Sequence, residues 1–226
     1  MEYLYETHMH TSESSGCGGS TAEEQVRAYK KRGYQGVIIT DHFINGYSLC
    51  PRHSKIPWAE KMGYVICGYQ AAKAAGDSLG LDVFFGWEFT IRGSDFLTYG
   101  LDWDFLIANP YLDELDVPEY SSLVRNSGGF LAQAHPYRDR SYIEHKFPVN
   151  PQYVDAIEVY NVSDTNAANI KAWNFAKKHG LPVQSGSDSH NVHPHFVSGV
   201  RLYSKAESIY DVIDAIKGKR AGLILP

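Results

Sequence analysis

The sequence lacks the features that several common protein classes require. Its 226 residues include only three cysteines, Cys17, Cys50 and Cys67, and an odd number this small is not a disulfide framework. No apolar run approaches the ~20 residues that are needed to cross a bilayer. The first residues are polar and do not show the basic and then apolar order of a secretion signal. We therefore expect a cytoplasmic protein with reduced thiols and no membrane attachment.

Positive charge is also scarce, which limits the partners. The formal net charge is −5, whereas a long nucleic-acid track normally requires a basic face, so we expect no extended nucleic-acid surface. A small anionic substrate remains compatible if metal ions or a few arginines supply positive charge locally. The chain has no convincing Gly-x-Ser-x-Gly elbow, Gly-x-x-x-x-Gly-Lys loop or Cys-x-x-Cys pair. Chemistry based on a serine nucleophile, a phosphate-binding loop or a redox dithiol is not indicated.

Strand-like and helix-like segments alternate along most of the chain. Apolar runs at 36–40, 82–87, 130–134 and 156–160 are typical of parallel strands that are covered on both faces. Their alternation with helical segments predicts parallel strands joined by right-handed crossovers. We count seven strands and allow an eighth, which favours a barrel over an open sheet. Without repeats, low-complexity tracts or long linkers, residues 1–226 are expected to form one domain.

Two local assignments are less direct. Residues 95–108 are ambiguous, because both 96–99 and 105–107 fit strands. A capping box from Ser204 to Glu207 predicts the start of the last helix.

Histidines and acidic residues stand at the predicted C-terminal ends of the strands. The first group is His8-x-His10, and alternate residues of a strand point to the same side. Imidazole is the commonest protein ligand for zinc-like and iron-like metals, so this pair is a candidate half-site. Four further groups follow along the chain: Asp41-His42, Glu88, His135-Pro136 and Asp188-x-His190. In βα barrels the chemistry lies at the C-terminal strand ends, so we expect all five groups at one mouth of the barrel.

The order and spacing of these five motifs resemble the PHP (polymerase and histidinol phosphatase) family, from residue 5 to about 191. The resemblance implies a distorted (β/α)7 TIM-like barrel. It also implies a hydrolase whose two- or three-metal centre cleaves phosphoesters. Seven positions match the family's metal ligands: His8, His10, His42, Glu88, His135, Asp188 and His190.

The resemblance divides these ligands among three metals. The first metal would be held by His8, His10, Glu88 and Asp188. Glu88 would bridge to a second metal that is also held by His135, and His42 with His190 would hold a third. Mixed nitrogen and oxygen ligands suit Mn, Fe or Zn better than Mg or Ca. The residues that we expect to take part in catalysis are Glu88, Asp188, His135 and Arg138.

One stretch departs from the family pattern. Many members carry Asp or His shortly after the first histidine pair, whereas this chain has Ser or Gly in the corresponding part of 12–17. Glu13 or Cys17 can substitute, and we include Glu13 among the expected ligands. The alternatives are a loop carboxylate and a buried thiol.

Four other residues have two interpretations each. Arg138 follows a ligand strand and either clamps phosphate bidentately or lies on the surface, with Arg92 as a second choice for the clamp. Asp41 either orients an imidazole or caps a loop. Asn161 either contacts substrate or stabilises a turn.

The remaining histidines and the aromatic residues are expected to have structural or peripheral positions. His53, His145 and His179 are expected to be exposed or at helix ends, and His193 and His195 to line the rim. Trp87 is expected to pack in the core.

The function that we expect is a metal-dependent phosphoesterase acting on a small phosphorylated metabolite or nucleotide through a metal-activated water. Histidinol-phosphatase and short-oligonucleotide exonuclease activities remain open within it, and loops 43–57 and 92–120 are expected to select the substrate. A metal-dependent amidohydrolase is an alternative, although we find no lysine at a strand end for the carbamylated bridge common in that class. A non-catalytic metal-binding module is a third possibility, since some PHP domains have lost ligands.

Overall fold

Nine strands form one sheet in the part of the chain that this computed structural model describes, which is residues 2–44, 46–50, 55–141, 143, 147–193 and 197–225. The strands are Tyr3–Met9 (β1), Gly36–Ile39 (β2), Asp82–Ile91 (β3), Ser94–Tyr99 (β4), Phe130–Gln133 (β5), Ala156–Asn161 (β6), Val183–Gly186 (β7), Gly199–Leu202 (β8) and Gly222–Ile224 (β9). His53, His145 and His195 lie outside the described residues, so their expected positions stay predictions.

Six helices accompany the sheet within the described ranges. They are Ala22–Lys31 (α1), Trp58–Leu79 (α2), Trp103–Ala108 (α3), Val117–Asn126 (α4), Asn166–His179 (α5) and Ile209–Lys217 (α6). His179 is the exposed last residue of α5, as expected. None of the helices described is both long and apolar enough to cross a lipid bilayer.

The sheet curls into a nearly closed barrel, which confirms the TIM-like fold. The order is β7-β6-β5-β4-β3-β2-β1-β8-β9, and β1, β2 and β3 are parallel, as are β5, β6 and β7. The segment after β7 closes the barrel against the end of β1, where His10 N donates to Ser189 O at 2.9 Å and Ser189 N donates to His8 O at 3.3 Å. The first half of β1 pairs instead with β8, antiparallel. This seam therefore places the first and last predicted ligand motifs side by side.

Strand β4 is antiparallel to both of its neighbours, unlike the strands of a regular βα barrel. It follows β3 through Arg92 and Gly93, whose φ angles are 51° and 81°. A two-residue turn with positive φ at both positions joins antiparallel strands, whereas a parallel neighbour needs a crossover of a dozen residues. The hairpin explains why β3 is longer than the predicted 82–87.

Two local predictions are wrong. Residues 105–107 belong to helix α3, because the side chain of Asp102 accepts from Phe105 N and caps its first turn. The last helix starts at Ile209 and not after Ser204. The carboxylate of Asp211 accepts from the backbone of Ser208, so the effective capping box lies four residues further on.

A buried glutamate stabilises an irregularity in β1. The register of β1 shifts between Glu6 and Met9. Glu6 Oε1 accepts from the backbone nitrogens of Thr7, His8 and Ser187, each at 2.9 Å. Burial outweighs these hydrogen bonds and raises the pKa of Glu6 to about 7. Backbone N–H groups that a bulge leaves without a strand partner thus find an acceptor directly beside His8, the first predicted ligand.

Aromatic side chains fill the space between the sheet and the helices around β3. Trp87 is fully buried and its Nε1 donates to Tyr120 OH at 2.8 Å, while Phe89 stacks on the Tyr120 ring at 4.0 Å between centroids. Trp87 is thus a core residue, as the sequence predicts. The packed face of β3 holds the neighbouring Glu88 in place.

Gly199 is the closest backbone contact between β8 and β1. Its φ is +121°, and a Cβ atom there would lie 2.1 Å from Tyr5 O and 2.9 Å from Glu6 Cα. We expect Gly199→Ala to lower the free energy of unfolding by about 3 kcal/mol, because the backbone of β1 must move. Urea denaturation followed by circular dichroism measures this change.

Gly33→Ala is the matched control. Gly33 also has a positive φ, of +81°, but a Cβ atom there meets nothing within 4 Å. This variant is expected to lose only ~1 kcal/mol, from backbone strain. Equal losses in the two variants would contradict a clash between β8 and β1.

Candidate metal centre

The first two predicted ligands converge at the end of β1. His8 and His10 are fully buried, and their Nε2 atoms lie 3.2 Å apart. Each Nδ1 atom has an outer partner, Glu158 Oε1 at 3.0 Å for His8 and Ser15 Oγ at 3.3 Å for His10. Because the outer nitrogens are occupied, both Nε2 atoms face the centre, as in histidines that bind metal.

Glu88 lies between two groups of histidines. Its Oε1 is 3.3 Å from His8 Nε2 and 3.2 Å from His135 Nε2. Its Oε2 is 2.9 Å from His42 Nδ1 and 3.5 Å from His10 Nε2. A carboxylate whose two oxygens face different imidazoles has the arrangement needed to bridge two cations.

Asp188 joins the same cluster from the other side of the barrel seam. Its Oδ1 is 3.4 Å from His8 Nε2 and 3.2 Å from His10 Nε2. His190 Nδ1 lies 3.5 Å from the same oxygen. The other oxygen, Oδ2, accepts a hydrogen bond from Arg138 Nη2 at 2.5 Å. Glu88 and Asp188 are therefore both in contact with His8 and His10.

Backbone strain occurs at two of these positions. His135 and Asp188 follow β5 and β7 with φ angles of 27° and 52°, although neither is glycine. Such conformations cost roughly 1–3 kcal/mol each and persist where the surrounding structure imposes them. Here they turn both side chains toward the common centre.

The histidines that stack in the cluster cannot all carry a proton. The ring centroids of His42 and His190 lie 4.4 and 4.3 Å from that of His10. Burial, together with the charges of His190 and His42, holds the pKa of His10 well below its usual range. His10 is therefore neutral, which is the protonation state that binds metals.

The two central carboxylates are ionised. Burial acts to raise the pKa of Glu88 and of Asp188, but the charge of His8 helps to outweigh it, and both pKa values lie well below their usual range. Since each carboxylate is surrounded by imidazoles, the cluster brings negatively charged oxygen atoms and imidazole nitrogens together.

This donor set fits divalent cations. Three groups of side chains have donor atoms within 4.8 Å of one another: His10, His42 and His190; His8, His10 and Asp188; and His8, Glu88 and His135. His42 Nδ1 is buried and forms no hydrogen bond with the described residues, although Glu88 Oε2 lies only 2.9 Å away. A buried nitrogen without a hydrogen bond, facing a carboxylate, fits a donor that a cation would satisfy. The seven predicted ligands thus meet in one place.

Arg138 is not a surface residue. Its side chain is 12% exposed and covers Asp188, and its Nη2 also donates to Asn161 Oδ1 at 3.1 Å. Its Nε has no hydrogen-bond partner in the described part of the chain, the carboxylate of Asp164 being 3.8 Å away. Asn161 in turn donates to Glu158 Oε2 at 2.9 Å, so it anchors Arg138 to the residue that holds His8.

Glu13 does not join the seven ligands. Its carboxylate accepts from Ala22 N at 3.0 and 3.1 Å, at the first turn of α1, where the helix dipole favours negative charge. Arg92 is likewise remote, since it is exposed in the β3–β4 turn.

Asp41 and Cys17 lie at the edge of the cluster. Asp41 Oδ1 accepts from Ser15 Oγ at 2.6 Å, and the same hydroxyl contacts His10 Nδ1, so Asp41 orients this imidazole indirectly. Cys17 is exposed and lines one cavity together with His42 and His190. Burial raises the pKa of the Cys17 thiol, but hydrogen bonds to His190 and His42 outweigh it and lower the pKa to about 7.

The sequence patterns missed two acidic residues of the site. Glu158 is the one charged residue in the apolar run 156–160, and a single charge in a strand buried on both faces was an available signal. Asp95 lies in β4, with Oδ2 3.8 Å from His135 Nε2. Burial, followed by the charge of Glu88, raises the pKa of Asp95. No signal pointed to Asp95, because the antiparallel strand was not expected.

A cavity of about 470 Å³ opens onto the cluster. Its floor is formed by predicted ligands, and its walls include Cys17, Tyr47, Thr90, Asp95 and Arg138. The expected loops 43–57 and 92–120 contribute Gly46, Tyr47, Gly93 and Asp95, although residues 51–54 lie outside the described ranges. Such a volume suits a small metabolite.

Comparison with known proteins finds matches only at the level of structure. No protein-family model and no curated protein matches the sequence. A two-domain protein from Bacteroides vulgatus, containing a predicted PHP-like metal-dependent phosphoesterase, matches 100% of this chain with a TM-score of 0.74 and 17% identity. The chain shares the fold of this protein. This confirms the resemblance drawn from the motifs, at the level of the fold.

Two further structures are similar to this chain in fold. The lesion-specific endonuclease EndoQ from Pyrococcus furiosus matches 100% of the chain, with a TM-score of 0.63 and 14% identity. An amidohydrolase from Chromobacterium violaceum, with bound sulfate and no metal, matches 97% of the chain and 97% of its own length, with a TM-score of 0.59 and 17% identity. The chain spans 65% of the Bacteroides protein and 58% of EndoQ.

Proposed function

We propose that the protein is a metal-dependent phosphoesterase that hydrolyses a small phosphorylated metabolite or nucleotide. The observation that carries this proposal is the position of Glu88, whose two oxygens face His8 and His135 on one side and His42 and His10 on the other. A bridging carboxylate at the floor of a cavity is the arrangement of two-metal hydrolases.

The cations would be held as the three donor groups suggest. His8, His10, Glu88 and Asp188 would hold one, Glu88 with His135 a second, and His42 with His190 a third. Two or three ions of Mn, Fe or Zn would lower the pKa of the attacking water and offset the negative charge of the phosphoryl oxygens.

Arg138 would bind the phosphoryl group from the cavity wall. Its Nη2 is already anchored on Asp188 and Asn161, so the guanidinium is oriented before substrate arrives. Its Nε is left without a hydrogen-bond partner among the described residues. A guanidinium that needs no reorientation stabilises developing negative charge at little reorganisation cost.

The structurally similar proteins support a hydrolase, and its substrate has to be identified by experiment. Those from Bacteroides vulgatus and Pyrococcus furiosus are described as a PHP-like phosphoesterase and an endonuclease, and the one from Chromobacterium violaceum as an amidohydrolase. We favour a phosphoester over an amide substrate for two reasons. Glu88 would take the bridging position that a carbamylated lysine often has in amidohydrolases, and the described residues of the cavity lining include Arg138 but no lysine. The three free thiols agree with a cytoplasmic location.

The test is a substrate screen on metal-loaded protein. Protein stripped of metal and reloaded with Mn, Fe(II) or Zn is assayed for phosphate release from an aryl phosphate, histidinol phosphate, nucleoside monophosphates and short oligonucleotides. We expect phosphate release that chelation abolishes and metal restores, with metal content measured in parallel. Turnover of amides without phosphate release would favour the amidohydrolase. An inert protein that binds no metal would favour the non-catalytic module.

A further inference from the structure

Glu158 on strand β6 contacts the side of His8 that faces away from the proposed cations. Its Oε1 lies 3.0 Å from Nδ1 of His8, and its Oε2 accepts from the backbone nitrogen of His135, also at 3.0 Å. The proposed function assigns these two histidines to different cations. One buried carboxylate therefore contacts a ligand of each.

The contact with His135 falls at a strained position of the backbone. The φ angle of His135 is 27°, and a residue other than glycine keeps such a conformation only where its surroundings impose it. The hydrogen bond to Glu158 Oε2 is one such constraint. The same oxygen accepts from Asn161 Nδ2 at 2.9 Å, and Asn161 Oδ1 accepts from Arg138 Nη2 at 3.1 Å. Glu158 is thus connected to the proposed phosphate-binding arginine as well.

A glycine on the neighbouring strand β7 leaves space for the contact between Glu158 and His8. A Cβ atom on Gly186 would lie 2.5 Å from Glu158 Oε1 and 2.6 Å from His8 Cβ. The φ angle of Gly186 is outside the left-handed region, so its backbone conformation does not require glycine. A side chain at this position would separate the carboxylate from the imidazole. This steric observation is independent of the hydrogen bonds.

The folding of β6 alone does not explain a carboxylate at position 158. Glu158 is 1% exposed, and its ion-pair partner among the described residues is His8. Taking a carboxylate out of water is costly, and an apolar side chain would suit a strand that is covered on both faces. The contacts of Glu158 with two predicted ligands give a reason for its presence.

We propose that Glu158 is a positioning residue of the metal centre. It keeps the ring proton of His8 on Nδ1, so that Nε2 has the free electron pair for a cation, and it fixes His135 through the backbone. An imidazole that binds a cation through one nitrogen carries its proton on the other, and the partner of that proton decides which nitrogen binds. The inference rests on the proposed function for the presence of cations, and it names the residue that orients two of their ligands.

The test is Glu158→Gln, with zinc as the probe. Glutamine keeps the size of the side chain, but its NH2 group cannot accept from the ring of His8 or from the backbone of His135. Metal-free protein with ¹⁵N-labelled histidine is loaded with Zn(II), and NMR reports which nitrogen of His8 carries the proton, with His8→Gln to assign the signal. We expect the proton on Nδ1 in the wild type. Glu158→Gln is expected to lose or shift this signal and to bind zinc about 10–100-fold more weakly in competition with a chelator.

Asp155→Asn is the matched control. Its carboxylate lies just before β6, at the other end of the strand, and accepts from Leu131 N at 3.0 Å. We expect this variant to keep the wild-type zinc affinity and the ring proton of His8. Circular dichroism of the metal-free variants separates weaker binding from unfolding.

Two results would overturn the role of Glu158 and leave the phosphoesterase proposal standing. One is a zinc-loaded wild type whose His8 carries its proton on Nε2, a result that does not require any variant of Glu158 to fold. The other is Glu158→Gln with wild-type zinc affinity and an unchanged ring proton. Weaker zinc binding in Glu158→Gln, with no phosphate release from any loaded protein, would overturn the proposed function alone. A wild type that binds no zinc would overturn both.

Discussion

Replacement of Glu88 by glutamine is expected to reduce metal-dependent phosphate release by at least about 10³-fold. The amide keeps the shape of the side chain but removes the negative charge of Glu88, which interacts with both His8 and His42 in the folded protein. Two cations then lose their common ligand, and the loss exceeds the 10²–10³-fold that removing one electrostatic contact to a transition state costs. Steady-state kinetics with an aryl phosphate and metal analysis of the same sample measure both effects.

Glu60→Gln is the control for this experiment. Glu60 is an exposed carboxylate in the first turn of α2, so its replacement removes the same charge away from the site. We expect wild-type rates and metal content from it. If Glu88→Gln kept both the metal and the rate, Glu88 would not be a bridging ligand and the proposed centre would be wrong.

Replacement of Arg138 by methionine is expected to lower kcat/KM by about 10²–10³-fold while most of the bound metal is retained. Methionine preserves much of the buried volume but removes the guanidinium that faces the cavity beside Asp188. Arg138→Lys is expected to recover only part of the loss, because an ammonium cannot reproduce the planar fork. Inhibition by inorganic phosphate should weaken in parallel, since this ligand tests the contact without turnover.

The exposed Arg92 offers the comparison for Arg138. Arg92→Met removes a cation from the β3–β4 turn and is expected to leave kcat/KM and phosphate inhibition unchanged. Arg138→Met could instead lose metal while phosphate inhibition stays unchanged in the molecules that still bind metal. That outcome would mean that Arg138 acts only by positioning Asp188.

The convergence of the seven predicted ligands could be expected from the sequence because its signals are local. Residues two apart on a strand share a face, and the C-terminal ends of parallel strands meet at one mouth, so His8, His10 and Asp188 were expected together. Their contacts now agree with that expectation, at 3.2–3.4 Å between His8 Nε2, His10 Nε2 and Asp188 Oδ1. Glu88 was also placed correctly in the cluster, although it lies within β3 and not at its end.

The misses involve residues whose roles depend on tertiary structure. Glu13 has the right chemistry and position in the chain for a ligand, but the backbone N–H of Ala22 at the start of α1, which has no partner within the helix, binds its carboxylate instead. Asp95 reaches the site only because β4 runs antiparallel. Glu158 acts through Nδ1 of His8, and no spacing along the chain reports a contact between residues 150 positions apart.

If the proposed cations bind, the seam between β1 and the segment after β7 would couple their binding to closure of the barrel. His10 and Ser189 are joined there through the backbone, and the side chains on either side, His8 and Asp188, would share a cation. Cations that bind only the closed barrel add RT ln(1 + [L]/Kd) to its stability, about 4 kcal/mol when the free ion is at a thousand times its Kd. The ions would therefore stabilise the contact between β1 and the segment after β7. Their release would destabilise this contact before the rest of the barrel.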